Sequence, residues 1–184
     1  MRNFKEDFDL VHEIVPGKHF YQFYKSPEDL FRILVNYWEA GVQKKDFCFW
    51  ALPVHLSIEE AKAILKPTIP ELDELLFKGS FEIVLHQDWY GDGETFDGEL
   101  VVAKYIGKMK EAIANGFSVI RVAGDTTGFK PHLWNTLQEY ERRSQESIHM
   151  LPCIALCSYP IHSLRLQQTK DVLDHHHAVL VAKV

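Results

Sequence analysis

Apolar residues along the chain fall into two alternating patterns: short dense runs, and longer stretches in which they recur at helical spacing. HFYQFY (19–24) is a dense run. As a pleated strand it puts His19, Tyr21 and Phe23 on one face and Phe20, Gln22 and Tyr24 on the other. SPEDLFRILVNYWEAG follows, where Ser26 can N-cap, Pro27 is pre-set for the first helical position, Glu28 and Asp29 complement the positive helix end, and Gly41 is expected to end the helix. DFCFWAL (46–52) then predicts a strand and SIEEAKAIL a helix, with Ser57 and Glu60 at capping-box spacing. ELDELLFKG (71–79) is a second short helix beyond the Pro67–Pro70 break. FEIVLH (81–86), FSVIRVAG (117–124), LPCIALCSY (151–159) and the closing AVLVAKV read as strands. ELVVAKYIGKMKEAIANG (99–116), terminated by Gly116, PHLWNTLQEYERRSQES (131–147) and SLRLQQTKDVLDH (163–175) read as helices.

Apolar strands separated by helical stretches are the pattern of βαβ units. The expected fold is therefore α/β, a three-layer sandwich around a mainly parallel sheet of about six strands, covered on both faces. Residues 1–184 read as a single domain with its core from about residue 17, and no repeat or linker interrupts it. QDWYGDGETFDG (87–98) is the one long irregular segment, and its length predicts a lid over a ligand. Gly91, Gly93 and Gly98 would supply the hinge freedom, and Trp89, Tyr90 and Phe96 the apolar area to grip with.

Composition narrows the function. Hydrophobic residues at 46% and charged residues at 25% are those of a globular protein, which rules out wholesale disorder. A net charge of −6 gives no general attraction for phosphate backbones, so no direct nucleic-acid partner is expected. No apolar run is long enough for a bilayer, and the acidic start MRNFKEDFDLVHEIV is unlike a signal peptide; the expectation is a cytoplasmic protein with no membrane partner. Cys48, Cys153 and Cys157 form no CxxC pair, and Cys153 and Cys157 share a strand face too far apart for a disulfide; they read as small core residues.

In an open parallel sheet, ligands bind beyond the carboxyl ends of the strands. Here those ends supply Tyr24 and Lys25, Pro53 and His55, His86, Asp88 and Trp89, then Gly124, Asp125 and Thr126, and finally Ser158, Tyr159 and Pro160. The set is aromatic and hydrogen-bonding with few cations, which suits a small, partly apolar organic ligand. The first strand-to-helix turn, YKSPED, contains no glycine and can form neither GxxxxGK[ST] nor GxGxxG, so neither ATPase activity nor a nucleotide cofactor is expected. His175, His176 and His177 invite a metal reading, but consecutive residues diverge around a helix and no HExxH or Cys/His spacing supports them; no metal is expected. GxSxG is absent, and EYERR (139–143) reads as a solvated helix face.

The order of GKHFYQFYKSPEDL, AGVQKKDFCFWAL, VIRVAGDTTG, LQEYERR, LCSYP and DVLDHHHAVL along the chain resembles the MEDS domain, the methanogen/methylotroph DcmR sensory domain, from about His19 to the end. The resemblance implies a RecA/KaiC-related fold that has lost its phosphate-binding loop, and a role in sensing small organic molecules such as hydrocarbon derivatives. It marks His19, Tyr24, Asp125, Glu141, Cys157, Tyr159 and His176, with aspartate at 125 where many members have glutamate and His177 where relatives often have proline. The expected ligand-binding set is His19, Tyr24, Asp125, Glu141, Tyr159 and His176. Such domains are usually attached to a transcription-factor or kinase module; no such segment is present here, so the expected output is a separate protein partner, a regulator or kinase, with self-association as a further option. Two other readings stand beside the sensor: a small-molecule hydrolase with Asp125 as general base assisted by His19 or His176, and a structural adaptor. An apolar cavity would favour sensing, whereas an acid and a histidine within hydrogen-bond reach would favour catalysis. The acid at 125 ends an internal strand and is expected to turn toward His19, Tyr24 or Tyr159.

Overall fold

Dense apolar runs become strands because every one of their side chains can be covered. In the computed structural model, which describes residue 11 and residues 13–180, β2 (Phe47–Ala51) is buried at all five positions. It lies in a six-stranded sheet with β1 (Lys18–Tyr24), β3 (Phe81–Val84), β4 (Ile120–Asp125), β5 (Cys153–Pro160) and β6 (Ala178–Val179). The order is β3-β2-β4-β5-β1-β6, and every neighbouring pair is parallel. Seven α-helices are described: α1 (Pro27–Lys44), α2 (Ile58–Leu65), α3 (Leu72–Phe77), α4 (His86–Tyr90), α5 (Gly98–Ala114), α6 (Trp134–His149) and α7 (Leu166–Asp174). The expected α/β sandwich is what forms.

The helices divide by the strand they leave. Those after β1 and β2 cover one face, where Leu30, Leu34, Tyr37 and Trp38 of α1 and Ala61 and Leu65 of α2 pack on Cys48, Trp50, Ala123, Ile154 and Leu156. Those after β3, β4 and β5 cover the other, where Tyr105 and Met109 of α5 and Ile148 of α6 meet Phe49, Ile120 and Ala155, and Val172 of α7 meets Tyr21 and Tyr159. Neighbouring strands β5 and β1 therefore send their connections to opposite faces, as do β2 and β4, and each such switch opens a crevice at the carboxyl edge.

The capping signals read correctly at both expected N-termini. Ser26 Oγ accepts from the backbone N–H of Asp29 at 3.3 Å, and Ser57 and Glu60 exchange both bonds of a capping box. Gly41 does not end α1. The helix runs on to Lys44, and Lys45 takes the left-handed position at φ 60°. Gly41 is needed for space instead: a Cβ there would sit 2.7 Å from Cδ of Arg121 and 2.8 Å from Sγ of Cys48. Arg121 is wholly buried, donates from Nε to Asp46 Oδ2 at 3.0 Å and lies over the Tyr37 ring at 4.8 Å, so it cannot withdraw cheaply.

Two other boundaries move. The FEIVLH strand stops at Val84, and residues 86–90, expected to be strand end and irregular loop, wind into α4, because that turn lays Trp89 on Phe49 with ring centroids 4.5 Å apart. The closing strand is observed at Ala178–Val179; its remainder from 181 lies outside the described residues. The first strand begins at Lys18, yet Val11, upstream of the expected core, is buried in the same core cluster; residues 1–10 and 12 are not described.

The packing around Gly41 gives a direct test. Gly41→Ala would gain helix propensity but overfill the Arg121–Cys48 contact, and overpacking of this kind costs about 1–3 kcal/mol. Urea unfolding should show a lower midpoint for G41A with unchanged slope.

Candidate functional site

Strand pairing decides which predicted residues can meet. His19 lies beside Ala155, Tyr21 beside Cys157 and Phe23 beside Tyr159, while Gln22 pairs with Ser158 and Ser158 with Asp125. Paired residues share a face and neighbours along a strand alternate. His19, Cys157 and Tyr159 therefore face α6 and α7, whereas Tyr24 and Asp125 face α1. The sheet divides the predicted set in two.

On the α6 side the site is built around an acid in an apolar place. Leu137, Glu141, Ser144 and Ile148 form the buried stripe of α6 at spacings of four, three and four, so the Glu141 carboxylate enters the interior at 2% exposure. Tyr159 donates from its hydroxyl to Oε1 at 2.9 Å, and the Cys157 thiol points at Oε2 at 3.6 Å. His19 Nε2 lies 3.4 Å and His176 Nε2 3.9 Å from the same Oε2, and His19 Nε2 is 3.2 Å from Cys157 Sγ. The two imidazoles sit with centroids 4.1 Å apart. Both rings are anchored through Nδ1: that of His19 faces Gln145 Oε1 at 3.3 Å, and that of His176 donates to the Val172 carbonyl at 2.7 Å. Of the histidine run only His176 turns inward; His177 uses Nδ1 to accept from the His19 backbone N–H at 3.1 Å.

Burial sets the charges here. It pushes the Glu141 carboxyl up to about 7, the bonds from Tyr159 and Cys157 pulling the other way. It pushes His176 down to about 4 and His19 well below the usual histidine range, the neighbouring histidines adding to the effect. Cys157 is pushed up by burial and by Glu141 beside it.

Next to this cluster lies a small cavity of about 30 Å³. Phe49, Trp89, Tyr90, Tyr105 and Val122 wall it, and His19, Glu141 and Cys157 supply its polar side. Gly124 carries no side chain because Tyr90 lies over it; a Cβ would collide with the Tyr90 hydroxyl. The close approach at Gly124 is thus made by a side chain of α4. Of the three proposed lid aromatics, Trp89 and Tyr90 line the cavity, while Phe96 touches Tyr90 at 6.3 Å between centroids and packs farther out against Phe129 and Tyr140, at 4.7 and 5.4 Å.

On the α1 side, Asp125 is buried at the carboxyl end of β4. Tyr24 donates to Oδ2 at 2.9 Å, the Thr127 N–H to Oδ1 at 2.8 Å, and the Thr127 hydroxyl to the same oxygen. Of the three expected partners Asp125 finds Tyr24; His19 and Tyr159 are across the sheet. An acid–base pair of Asp125 with His19 or His176 is therefore not assembled, and the acid that does meet histidines is Glu141. Beyond this edge, a cleft of about 270 Å³ separates the segments that follow β4 and β5, bordered by Thr126, Phe129, Lys130, Trp134, Arg165 and Gln168.

Three residues outside the expected ligand-binding set bear on this region. Cys157, read as core from its spacing but marked by the family resemblance, belongs to the Glu141 cluster, two residues from Tyr159 on the same strand face. Gln145 is four residues from Glu141 on one helical face. His86, a strand-end candidate, is buried among Tyr90 and Phe129 and packs on Gly128; neither of its ring nitrogens has a hydrogen-bond partner among the described residues.

An all-parallel sheet in this order, covered by helices on both faces, defines a RecA-like α/β domain. The crystal structure of the flagellar accessory protein FlaH from Methanocaldococcus jannaschii is similar to it, with a TM-score of 0.62 and 13% identity over 94% of this chain and 75% of that one. The cytoplasmic domain of EssC is less similar, with a TM-score of 0.45 and 13% identity over 89% of this chain and 31% of that one. No curated protein matches the sequence. Residues 18–177 match MEDS, the MEthanogen/methylotroph, DcmR Sensory domain, and the chain belongs to that family. Its class is thus a sensory domain, and among the described residues no helix is long and apolar enough to cross a membrane.

The Tyr24–Asp125 bond gives a pH-dependent prediction. Burial raises the folded-state pKa of Asp125 above its ordinary value while Tyr24 and Thr127 oppose the rise. An acid whose folded pKa is raised costs stability above its unfolded pKa, about 3.9, and that cost disappears as pH falls. Tyr24→Phe removes a donor to the charged form, so it should destabilise by about 1.5–3 kcal/mol at neutral pH. The loss should shrink as Asp125 is protonated. Denaturant unfolding at neutral and acid pH measures both values.

Proposed function

We propose that the domain senses a small organic molecule, a simple hydrocarbon derivative with one polar group, taken into the cavity beneath α4. The observation that supports this most directly is the cavity's lining: an aromatic wall on one side, and on the other the polar groups of His19, Glu141 and Cys157. Its volume of about 30 Å³ matches a ligand of very few atoms, since one water needs about 10–15 Å³ on this measure. Glu141 and the histidines would hold the polar group, with Tyr159 fixing Glu141. Tyr24 and Asp125 would hold the end of β4 that carries Gly124 into the cavity wall. Trp89 and Tyr90 close the cavity from the 86–98 segment, so ligand entry requires that segment to yield. Its altered surface would be read by a separate protein, a regulator or a kinase.

A panel of one- to three-carbon alcohols, thiols, amines and halides, screened by thermal shift and hydrogen exchange, tests this reading. At least one compound should raise the unfolding temperature and slow exchange in residues 86–98, and Glu141→Gln should abolish both effects. Absence of any shift across the panel, together with no small molecule released from the purified protein on denaturation, would overturn it.

A further inference from the structure

Four donors from four separate segments converge beneath α6: His19 from β1, Glu141 from α6, Cys157 from β5 and His176 from the turn before β6. One ligating atom from each lies within 4.8 Å of all the others. Four of the separations are known individually, at 3.2, 3.4, 3.6 and 3.9 Å. A tetrahedral centre with bonds of about 2.0–2.3 Å has edges of about 3.3–3.8 Å. The donors already stand near the corners of such a site.

Their orientation points the same way. Both imidazoles present their Nδ1 nitrogens to oxygen acceptors, Gln145 Oε1 and the Val172 carbonyl, so the ring protons reside there. That leaves two Nε2 lone pairs directed at one carboxylate oxygen, three electron-rich groups of which a single carboxyl proton can bridge only one pair, whereas a cation between them satisfies all three. The thiol has one proton and can satisfy one acceptor. His176 Nε2 is wholly buried and has no hydrogen-bond partner among the described residues. Glu141 is held correspondingly: Tyr159 engages Oε1, and Oε2 is the oxygen left facing the other three donors. Oxygen acceptors on Nδ1 and a hydroxyl on the free carboxylate oxygen are the outer contacts that orient metal ligands.

We propose that His19, Glu141, Cys157 and His176 bind one Zn²⁺ ion. Two imidazoles and a thiolate select zinc over magnesium or calcium, which take oxygen donors. The thiol proton leaves on binding, and thiolate and carboxylate together balance the ion's two charges. This site goes beyond the sensor reading and is tested by metal alone.

The experiment uses the whole chain, stripped with a chelator and titrated with Co²⁺ and then Zn²⁺. One equivalent of Co²⁺ should give the strong visible bands of a tetrahedral site and a thiolate-to-cobalt charge-transfer band, and Zn²⁺ should bleach both. Cys157→Ser should lose the charge-transfer band, and His176→Gln should weaken zinc binding tenfold or more, with circular dichroism confirming that each is folded. His149→Ala and His175→Ala should keep the one-to-one stoichiometry. No charge-transfer band in the wild-type protein, unchanged affinity in both ligand variants, or loss of stoichiometry in the surface-histidine variants would overturn the proposal. The wild-type cobalt spectrum needs no variant to fold, and a bound ion with no response to the organic panel would separate this site from the sensor reading.

Discussion

A carboxylate inside a protein needs compensation worth several kcal/mol, and Glu141 on the buried stripe of α6 imposes that demand on everything around it. Among the described residues three such acids are buried, and each is satisfied differently. Asp46 has a full cation, Arg121, at 3.0 Å. Asp125 has hydroxyl and N–H donors from Tyr24 and Thr127. Glu141 has one good neutral donor in Tyr159 and otherwise faces a thiol and two histidines that burial keeps uncharged. That is the least satisfied of the three. It is also the one beside a cavity, and a fold that needed only stability would be better served by an apolar residue at this position.

The two faces of the sheet consequently differ in character. Under α1, large side chains fit closely: Trp38 stacks near Trp50 and Phe81, and the Tyr37 hydroxyl donates to the carbonyls of Val122 and Ile154. That face has no room at Gly41 for even a methyl group. Under α6 the polar groups gather. At the first turn Ser26 occupies the Asp29 N–H, and Glu28 and Asp29 place negative charge at the start of α1. An anion would meet acids there rather than free N–H groups.

Strand and helix order, the parallel sheet and both capping signals were legible because each rests on local periodicity or on residues three positions apart. Gly41 was misread because a glycine late in a helix signals a terminus locally, whereas its real constraint is Arg121, eighty residues away in sequence. The α4 turn was illegible for a related reason: HQDWY has no helical period of its own, and only the burial of Trp89 on Phe49 fixes it. The residues of the candidate site were largely legible, but their grouping was not. Face alternation along β1 already separated His19 from Tyr24; strand order was needed to bring Cys157 to His19 and leave Asp125 on the far side. Spacing within HHH likewise carried no information about this cluster, because its four side chains come from four segments.

The cluster also lies where a change inside the domain reaches its edge in few steps. His19 contributes its ring to the Glu141 group and its backbone to the last strand: its N–H donates to His177 Nδ1, and its carbonyl accepts from the His177 N–H at 2.8 Å. The next attachment is the Leu180 N–H to the Tyr21 carbonyl, and β6 itself spans only two residues. His176, one residue before His177, adds its own ring to the cluster. A two-residue edge strand has little pairing energy with which to hold a position of its own. Its placement is tied to His19 and His176, so the Glu141 cluster and this strand are joined through covalently adjacent residues, with no long chain of intervening contacts.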